Sequence, residues 1–388
     1  MASQEMSREA SCVQTIASMV ICVSLLSGAA MGDDTPRGLT HFLDTADCVV
    51  VSDSCTTSPP IWIKQCAAKP TIETGRSAAY FFHDGEVIRV LGPVDAQVVA
   101  AYLQSLQAAP SREDRFLVYI DNIESTDRKV ALDSLDELKS SPIAELRQAA
   151  KSYSFEALVF RFRINSGYPG RRRLEAVLLG MSSGDPATRT RLLDAAFLDA
   201  MATSSDASLL WVPLLELDGI LAGLALVDAE TGMQRVRESL LDSGDHQYVV
   251  RCAAIRAASF TLSQGKFDKD SIKVALQESL KTAADSLPEM LEFARIHEIS
   301  LDAESVANTA RRIAESNDRL AWRNASFDIA VYVRHRGKDF EDQLTTDLND
   351  ENFIRDIKDA IHRQVAIGLQ ATINRSSDVS PSSIVPLE

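Results

Sequence analysis

The chain has 388 residues, 45% of them hydrophobic, which is enough to bury a large core and corresponds to about two domains. Its 55 acidic residues outnumber its 40 basic ones, and the net charge of −15 opposes binding to a phosphate backbone. Composition therefore predicts a folded globular protein and argues against nucleic acid as its main partner.

The N-terminal segment predicts export. An uncharged run extends from Ser11 to Met31, and the small residues Gly28 and Ala30 provide the positions that signal peptidase recognises. Residues 1–30 are therefore predicted to be a signal peptide, although the run is also just long enough to remain as an uncleaved membrane anchor. We expect a protein of the periplasm or cell envelope, or a secreted one.

The cysteine spacing favours disulfide chemistry over metal binding. Cys48, Cys55 and Cys66 fall in one short segment and can bridge outside the cytoplasm, with the pairing left open. Cys252 lies in an apolar helical pattern and is predicted to pack as a small hydrophobic residue. The six histidines are scattered singly, so the sequence predicts no metal site.

A small β-rich module is predicted over residues 40–92. Aromatic and β-branched runs flank the Asp84-Gly85 pair, which is a strong signal for a tight hairpin. Four strands are predicted in all, at Cys48–Val51, Ile61–Cys66, Ala78–Phe82 and Glu86–Leu91.

Helical periodicity then extends over residues 95–371, with frequent breaks typical of helix pairs. A capping box at Ser111 and Asp114 predicts one helix start, and prolines at 142 and 186 predict two others. The apolar stretch Leu209–Val227 contains a proline and two carboxylates, so it predicts a buried helix pair rather than a membrane span. No transmembrane bundle is expected, and the serine-rich residues 372–388 are predicted to be a disordered tail.

Three helical segments can be aligned with one another without gaps. In two of them an acidic or amide residue stands six positions before an arginine, as Asp245 does before Arg251 and Asn317 before Arg323. The first segment departs from this pattern, because Ala131 stands where the others have arginine. The segments begin at Val130, Val250 and Trp322.

This pattern resembles the signature of HEAT repeats, and the wider arrangement resembles a group of uncharacterised exported bacterial HEAT-like proteins. The resemblance covers roughly residues 78–336. It implies an irregular armadillo-type α-solenoid of stacked helix pairs after the β module. It also implies that Asp245, Arg251, Asn317 and Arg323 form a structural ladder between repeats, and it implies no activity.

No catalytic motif is present in the sequence. It lacks a phosphate-binding loop, a nucleophile elbow and a zinc-protease motif, so we predict no enzyme, no catalytic residue and no cofactor. The carboxylates Asp133, Asp136 and Glu137 stand at helical spacing and are predicted to form a solvated helix face.

One basic run interrupts the acidic background. Arg171, Arg172 and Arg173 stand at a predicted helix start, where three cations oppose the helix dipole and need an anion nearby. Carboxylates of the same chain are the favoured anions, and an acidic partner is the alternative.

Three functions remain open at this stage. The leading hypothesis is a non-enzymatic protein-interaction or scaffold protein of the cell envelope, with an unidentified protein partner. The alternative is a hydrolase or small-ligand-binding protein, with a site between the β module and the first helices, near Tyr80, His83 and Asp84. The third is an envelope spacer without a discrete ligand.

Overall fold

The structure is a computed structural model that describes residues 38–54, 59–65, 72, 76–164, 171–204, 216–242, 247–316 and 318–366. The predicted signal peptide and tail and the first part of the apolar stretch, up to residue 215, lie outside the described residues. So do several shorter segments, which include Cys55, Cys66, Asp245 and Asn317.

The described residues form two compact units, one ending at Tyr153 (unit 1) and one beginning at Ser154 (unit 2). Unit 1 combines a four-stranded antiparallel sheet with helices, whereas the described part of unit 2 is helical throughout. The predicted fold class, mainly α with a small β module before the helices, is confirmed.

The sheet of unit 1 contains β1 Cys48–Ser52, β2 Ile61–Lys64, β3 Ala78–His83 and β4 Glu86–Leu91, in the order β2-β1-β3-β4. The two central strands, β1 and β3, are buried along nearly their whole length, because their apolar residues continue without polar alternation. The third and fourth strands are joined by Asp84 and Gly85, whose φ angles of 50° and 80° suit the predicted two-residue hairpin.

A short helix that the sequence pattern does not predict, α1 Leu39–Thr45, precedes the sheet. Its N-cap, Gly38, has no side chain to accept a hydrogen bond. The Asp133 carboxylate, 93 residues away in sequence, instead accepts from the backbone N–H of Thr40 at 3.1 Å. A Cβ on Gly38 would stand 1.9 Å from Asp133 Oδ1, so glycine makes room for this cap. Because the cap is a tertiary contact, local sequence reasoning misses the helix.

Four further helices complete unit 1. The first of them packs on the sheet, and the second packs against the other three. Ser111 caps the second by accepting from Asp114 N at 3.1 Å, as predicted. The helices are α2 Ala96–Ala108, α3 Arg112–Asn122, α4 Arg128–Ser140 and α5 Ile143–Ser152.

Twelve helices are described in unit 2. The first six are α6 Phe155–Arg163, α7 Arg171–Met181, α8 Pro186–Ser204, α9 Leu217–Val227, α10 Ala229–Leu240 and α11 Gln247–Ser263. The last six are α12 Lys269–Leu280, α13 Leu287–Ile296, α14 Ala303–Glu315, α15 Arg319–Arg336, α16 Lys338–Leu348 and α17 Glu351–Ala366.

These helices are arranged in two layers. The odd layer runs α7, α9, α11, α13, α15, α17, and each helix in it packs against the next; the even layer does the same through α10, α12, α14 and α16. Consecutive helices such as α10 and α11, or α14 and α15, connect the layers. This is the stacking of helix pairs that an α-solenoid requires, since each pair buries its apolar face on its neighbours.

Helix α9 is the centre of unit 2, with every residue from Leu217 to Leu226 buried. It approaches α7 closely through glycine, because a Cβ on Gly223 would lie 2.2 Å from the backbone oxygen of Ala176. Among the described helices, none has both the length and the apolar character to cross a membrane.

Cys48 and Cys252, the two cysteines within the described residues, are in different chemical states. Cys48 is disulfide-bonded, whereas Cys252 is a buried thiol in α11. The burial of Cys252 agrees with its predicted packing role.

Candidate functional sites

The predicted basic run opens α7, and two of its three arginines are buried. Arg171 Nε donates to Glu175 Oε1 over 2.9 Å, one turn further along the same helix. Arg173 Nε donates to Asp218 Oδ1 over 2.7 Å, and its Nη2 donates to the second oxygen of the same carboxylate. Both arginines are thus held by carboxylates of the same chain.

Arg172 is the most exposed member of the run. Its guanidinium lies over the Phe162 ring, 4.9 Å from the centroid, and its Nη1 is 3.9 Å from Glu216 Oε2. Burial raises the pKa of Glu216 to about 7, more than the nearby arginines lower it.

Asp218 is the most buried charge in this cluster, with no exposed side-chain surface. It pairs with Arg173 of α7 and with Arg256 of α11, whose Nε donates to Oδ2 over 2.9 Å. Burial alone would raise the pKa of Asp218, but the two guanidiniums hold it below its ordinary value. The pairing connects three consecutive helices of the odd layer, α7, α9 and α11.

Arg251 and Arg323, the two predicted ladder residues within the described ranges, differ in burial and in their contacts. Arg251 is buried and its Nη1 donates to Asp285 Oδ1 over 2.6 Å, just before the next helix of the odd layer. Arg323 is exposed on α15, and among the described residues it joins no ion pair. The ladder partners proposed from the sequence, Asp245 and Asn317, lie outside the described residues.

The residues proposed for the alternative site near the hairpin differ in their exposure. Tyr80 is buried in the sheet core. His83 is exposed and lies between two carboxylates, 3.0 Å from Asp47 and 3.7 Å from Asp84. These three groups are close enough to share a cation, with ligand atoms within 4.8 Å of one another, but all three are exposed.

A pocket with a volume of about 370 Å³ lies elsewhere in unit 1. Arg112, Arg115 and Tyr119 line it from one face of α3, since residues at this spacing share a helix face. Glu137 of α4 lies across from them. The remaining lining residues are Thr40, Ala109, Pro110 and Ser111.

The arginines of this pocket are only partly engaged. Arg115 forms a two-pronged pair with Asp44, with both nitrogen–oxygen distances at 2.9 Å. Arg112 Nε lies 2.9 Å from Glu145 Oε2, while its two terminal nitrogens donate to no described residue. Arg112 is also exposed along most of its side chain.

Among the residues that line the pocket, Glu137 has a carboxyl group whose pKa is strongly raised by its surroundings. Burial, together with Asp133 and Asp44, raises the pKa of its carboxyl to about 7, although Arg112 and Arg115 oppose the shift. Among the described residues, its carboxyl oxygens accept no hydrogen bond and join no ion pair. A half-buried carboxyl with a raised pKa in a cleft is a common property of functional sites.

The prediction that Asp133, Asp136 and Glu137 form a solvated face is wrong for Asp133, which is 4% exposed. It accepts from the hydroxyls of Thr40 and Tyr102, each over 2.7 Å, as well as from the backbone N–H of Thr40. Burial nevertheless raises the pKa of Asp133 above its ordinary value. The physical reason for the error is that α4 packs against α1, α2 and α3 at once, so it buries more than one face.

Sequence reasoning also missed the functional potential of Arg112, Arg115, Tyr119 and Glu137. The spacing of the first three within one predicted helix was a usable signal. Nothing in the sequence indicated that Glu137 would lie opposite them, because α3 and α4 meet only in the folded unit.

A second group of perturbed carboxylates lies on the odd layer of unit 2. Burial, together with Glu289 and Glu292 of α13, raises the pKa of Asp328 of α15 to about 7. Glu289 accepts a hydrogen bond from the Tyr248 hydroxyl, and Glu292 pairs with Arg295. Asp328 joins no hydrogen bond or ion pair within the described ranges. Its carboxyl group therefore remains exposed to the negative charges of Glu289 and Glu292.

Comparison with protein families, with curated proteins and with solved structures finds no match to this chain.

Proposed function

We propose that the chain is a non-enzymatic interaction protein of the cell envelope, in which unit 2 is a HEAT-like α-solenoid scaffold that binds a protein partner. The observation that carries the proposal is the two-layer packing of unit 2, in which each helix packs against the next helix of its layer. Such stacking produces an extended surface that is continuous over many helices, which solenoid proteins use for binding. The envelope location rests on the predicted signal peptide.

The face formed by α13 and α15 is our candidate for the contact surface. Its exposed Glu292 and half-buried Asp328 create a negative field that this part of the chain does not neutralise completely. A partner segment with lysine or arginine would complement that field and would favour the ionised form of Asp328.

Capture of the tagged full chain from its native envelope after brief cross-linking tests the proposal. We expect one stoichiometric partner with the wild type, and recovery reduced at least about tenfold with Glu292→Lys, because like charges then face each other. Glu315→Lys makes the same charge change on the even layer, at an exposed position, and serves as the matched control. Circular dichroism confirms that both variants are folded.

Two results would count against the proposal. Diffuse, non-saturable association with wall material would favour a spacer. Equal recovery with the two variants would remove the α13–α15 face as the contact surface.

A further inference from the structure

The pocket of unit 1 has two chemically distinct sides, and this difference identifies a class of ligand. It is lined from one side by the first two turns of α3 and from the other by Glu137 of α4. All of its lining residues belong to unit 1.

The α3 side favours an anionic group. The two terminal nitrogens of Arg112 are unused among the described residues, and a guanidinium is suited to paired contact with a carboxylate. Pro110 and Ser111 border the pocket immediately before the first turn of α3, where the helix dipole favours negative charge, part of which Glu113 and Asp114 of that turn already supply.

The Glu137 side favours a cationic group. Glu137 lies near two other carboxylates, Asp133 and Asp44, and the arginines on the opposite wall do not offset them fully. The carboxyl oxygens of Glu137 have no partner within the described residues. An ammonium group placed beside them would gain a charge-assisted hydrogen bond and relieve the repulsion among the carboxylates.

We propose that this pocket binds a small zwitterion of the free amino acid class, with the ligand carboxylate on Arg112 and the start of α3 and the ligand ammonium on Glu137. A ligand with one negative and one positive group matches a pocket whose two sides favour opposite charges, with Arg112 on one side and Glu137 on the other. The volume of about 370 Å³ is within the range of small-molecule sites and accommodates an amino acid with its side chain. This site does not depend on the scaffold function of unit 2.

Calorimetric titration of the full chain with each of the twenty common free amino acids tests the proposal. For any that binds, we compare the matched N-acetyl derivative, which lacks the ammonium, and the matched amide, which lacks the carboxylate. We expect each derivative to bind at least about tenfold more weakly than the zwitterion, the loss expected for one charge-assisted contact.

Proton linkage gives a second, independent readout. An ammonium beside Glu137 favours its ionised form, so binding near pH 7 should release a fraction of a proton. The release is measured by repeating the titration in phosphate and in Tris, whose ionisation enthalpies differ.

Two variants assign the contacts. Glu137→Gln should abolish the proton release and weaken binding about tenfold or more, whereas Glu86→Gln, an exposed carboxylate on β4 outside the pocket, should change neither. Arg112→Gln should weaken binding to a similar extent, and Arg128→Gln is its exposed control.

Several results would overturn the proposal. These are the absence of saturable binding by every amino acid, equal binding of the zwitterion and its N-acetyl derivative, or proton uptake in place of release. Unchanged affinity in Glu137→Gln, with the variant folded by circular dichroism, would do the same. None of these outcomes bears on partner capture by unit 2, so failure of one proposal is distinguishable from failure of the other.

Discussion

Unit 1 and unit 2 each bury an aspartate almost completely, but they do so with opposite chemistry. Asp133 in unit 1 is surrounded by neutral donors, namely the hydroxyls of Thr40 and Tyr102 and one backbone amide, and its pKa is raised by burial. Asp218 in unit 2 is held by Arg173 and Arg256, and its pKa is lowered. The comparison shows that burial alone does not fix the charge of a carboxyl group, because the charge of its partners decides the outcome.

The networks around Asp133 and Asp218 also connect different parts of the molecule. The Asp133 network joins α1 to α2 and α4 and places Glu137, one turn further along α4, at the pocket. The Asp218 network joins three helices of the odd layer through ion pairs with Arg173 and Arg256. Neutral donors thus hold the helix that carries a candidate binding site, and ion pairs hold three closely packed helices together.

The largest expected effect comes from breaking the ionic network. Asp218→Asn removes the carboxylate charge that Arg173 and Arg256 share, and we expect a loss of about 3–5 kcal/mol in the free energy of unfolding. Urea denaturation measures it, with the exposed Asp270→Asn as the control. A loss similar to that of the control would mean that the network contributes little.

The close packing of α7 against α9 predicts a smaller loss of stability for the variant Gly223→Ala. Gly223→Ala introduces a Cβ at 2.2 Å from the backbone oxygen of Ala176, which forces α7 and α9 apart and costs about 1–3 kcal/mol. Helix propensity alone would predict a gain of about 1 kcal/mol from the same change. A fall in thermal midpoint supports the close approach, and a rise contradicts it.

Removing the charge of Asp133 sharpens the contrast with Asp218. Asp133→Asn should cost about 1–3 kcal/mol at neutral pH, since no buried cation is left uncompensated and only hydrogen bonds are impaired. Because the folded pKa of Asp133 is raised, the wild type loses stability as pH rises above the ordinary aspartate value. The cost of Asp133→Asn in urea denaturation should therefore be smaller at high pH than at low pH, and a larger cost at high pH would refute the assigned direction.

The smallest expected effect is at Glu137, whose pKa of about 7 exceeds the ordinary value of 4.5. The folded state binds more protons than the unfolded state between these two values, so wild-type stability falls as pH rises through that window. The Glu137→Gln variant does not lose stability in this way, because it has no carboxyl group to ionise at position 137. After allowance for partial solvent exposure, its stability relative to the wild type should be about 1 kcal/mol higher at pH 8 than at pH 4.5. A pH-independent difference would show that Glu137 titrates normally.

Local features of the fold could be predicted from the sequence because their causes are local. The Asp84-Gly85 hairpin needs two residues that tolerate positive φ, and the start of α3 needs only Ser111 and its neighbours along the chain. The mainly helical character follows from apolar periodicity in the same way. Helix α1 was missed because its cap is Asp133, a residue of α4.

By itself, the sequence determined the class of the fold, the positions of the strands and a few helix starts such as that at Ser111, since backbone preferences and apolar patterns act over a few residues. Only the tertiary structure decided which charges are buried and what they face. Arg173 and Asp218 are 45 positions apart, and Glu137 lies on a different helix from the arginines of its pocket. Such pairs are chosen by helix packing, and the sign and size of a pKa shift depend on desolvation and on neighbouring charges that exist only in the folded chain.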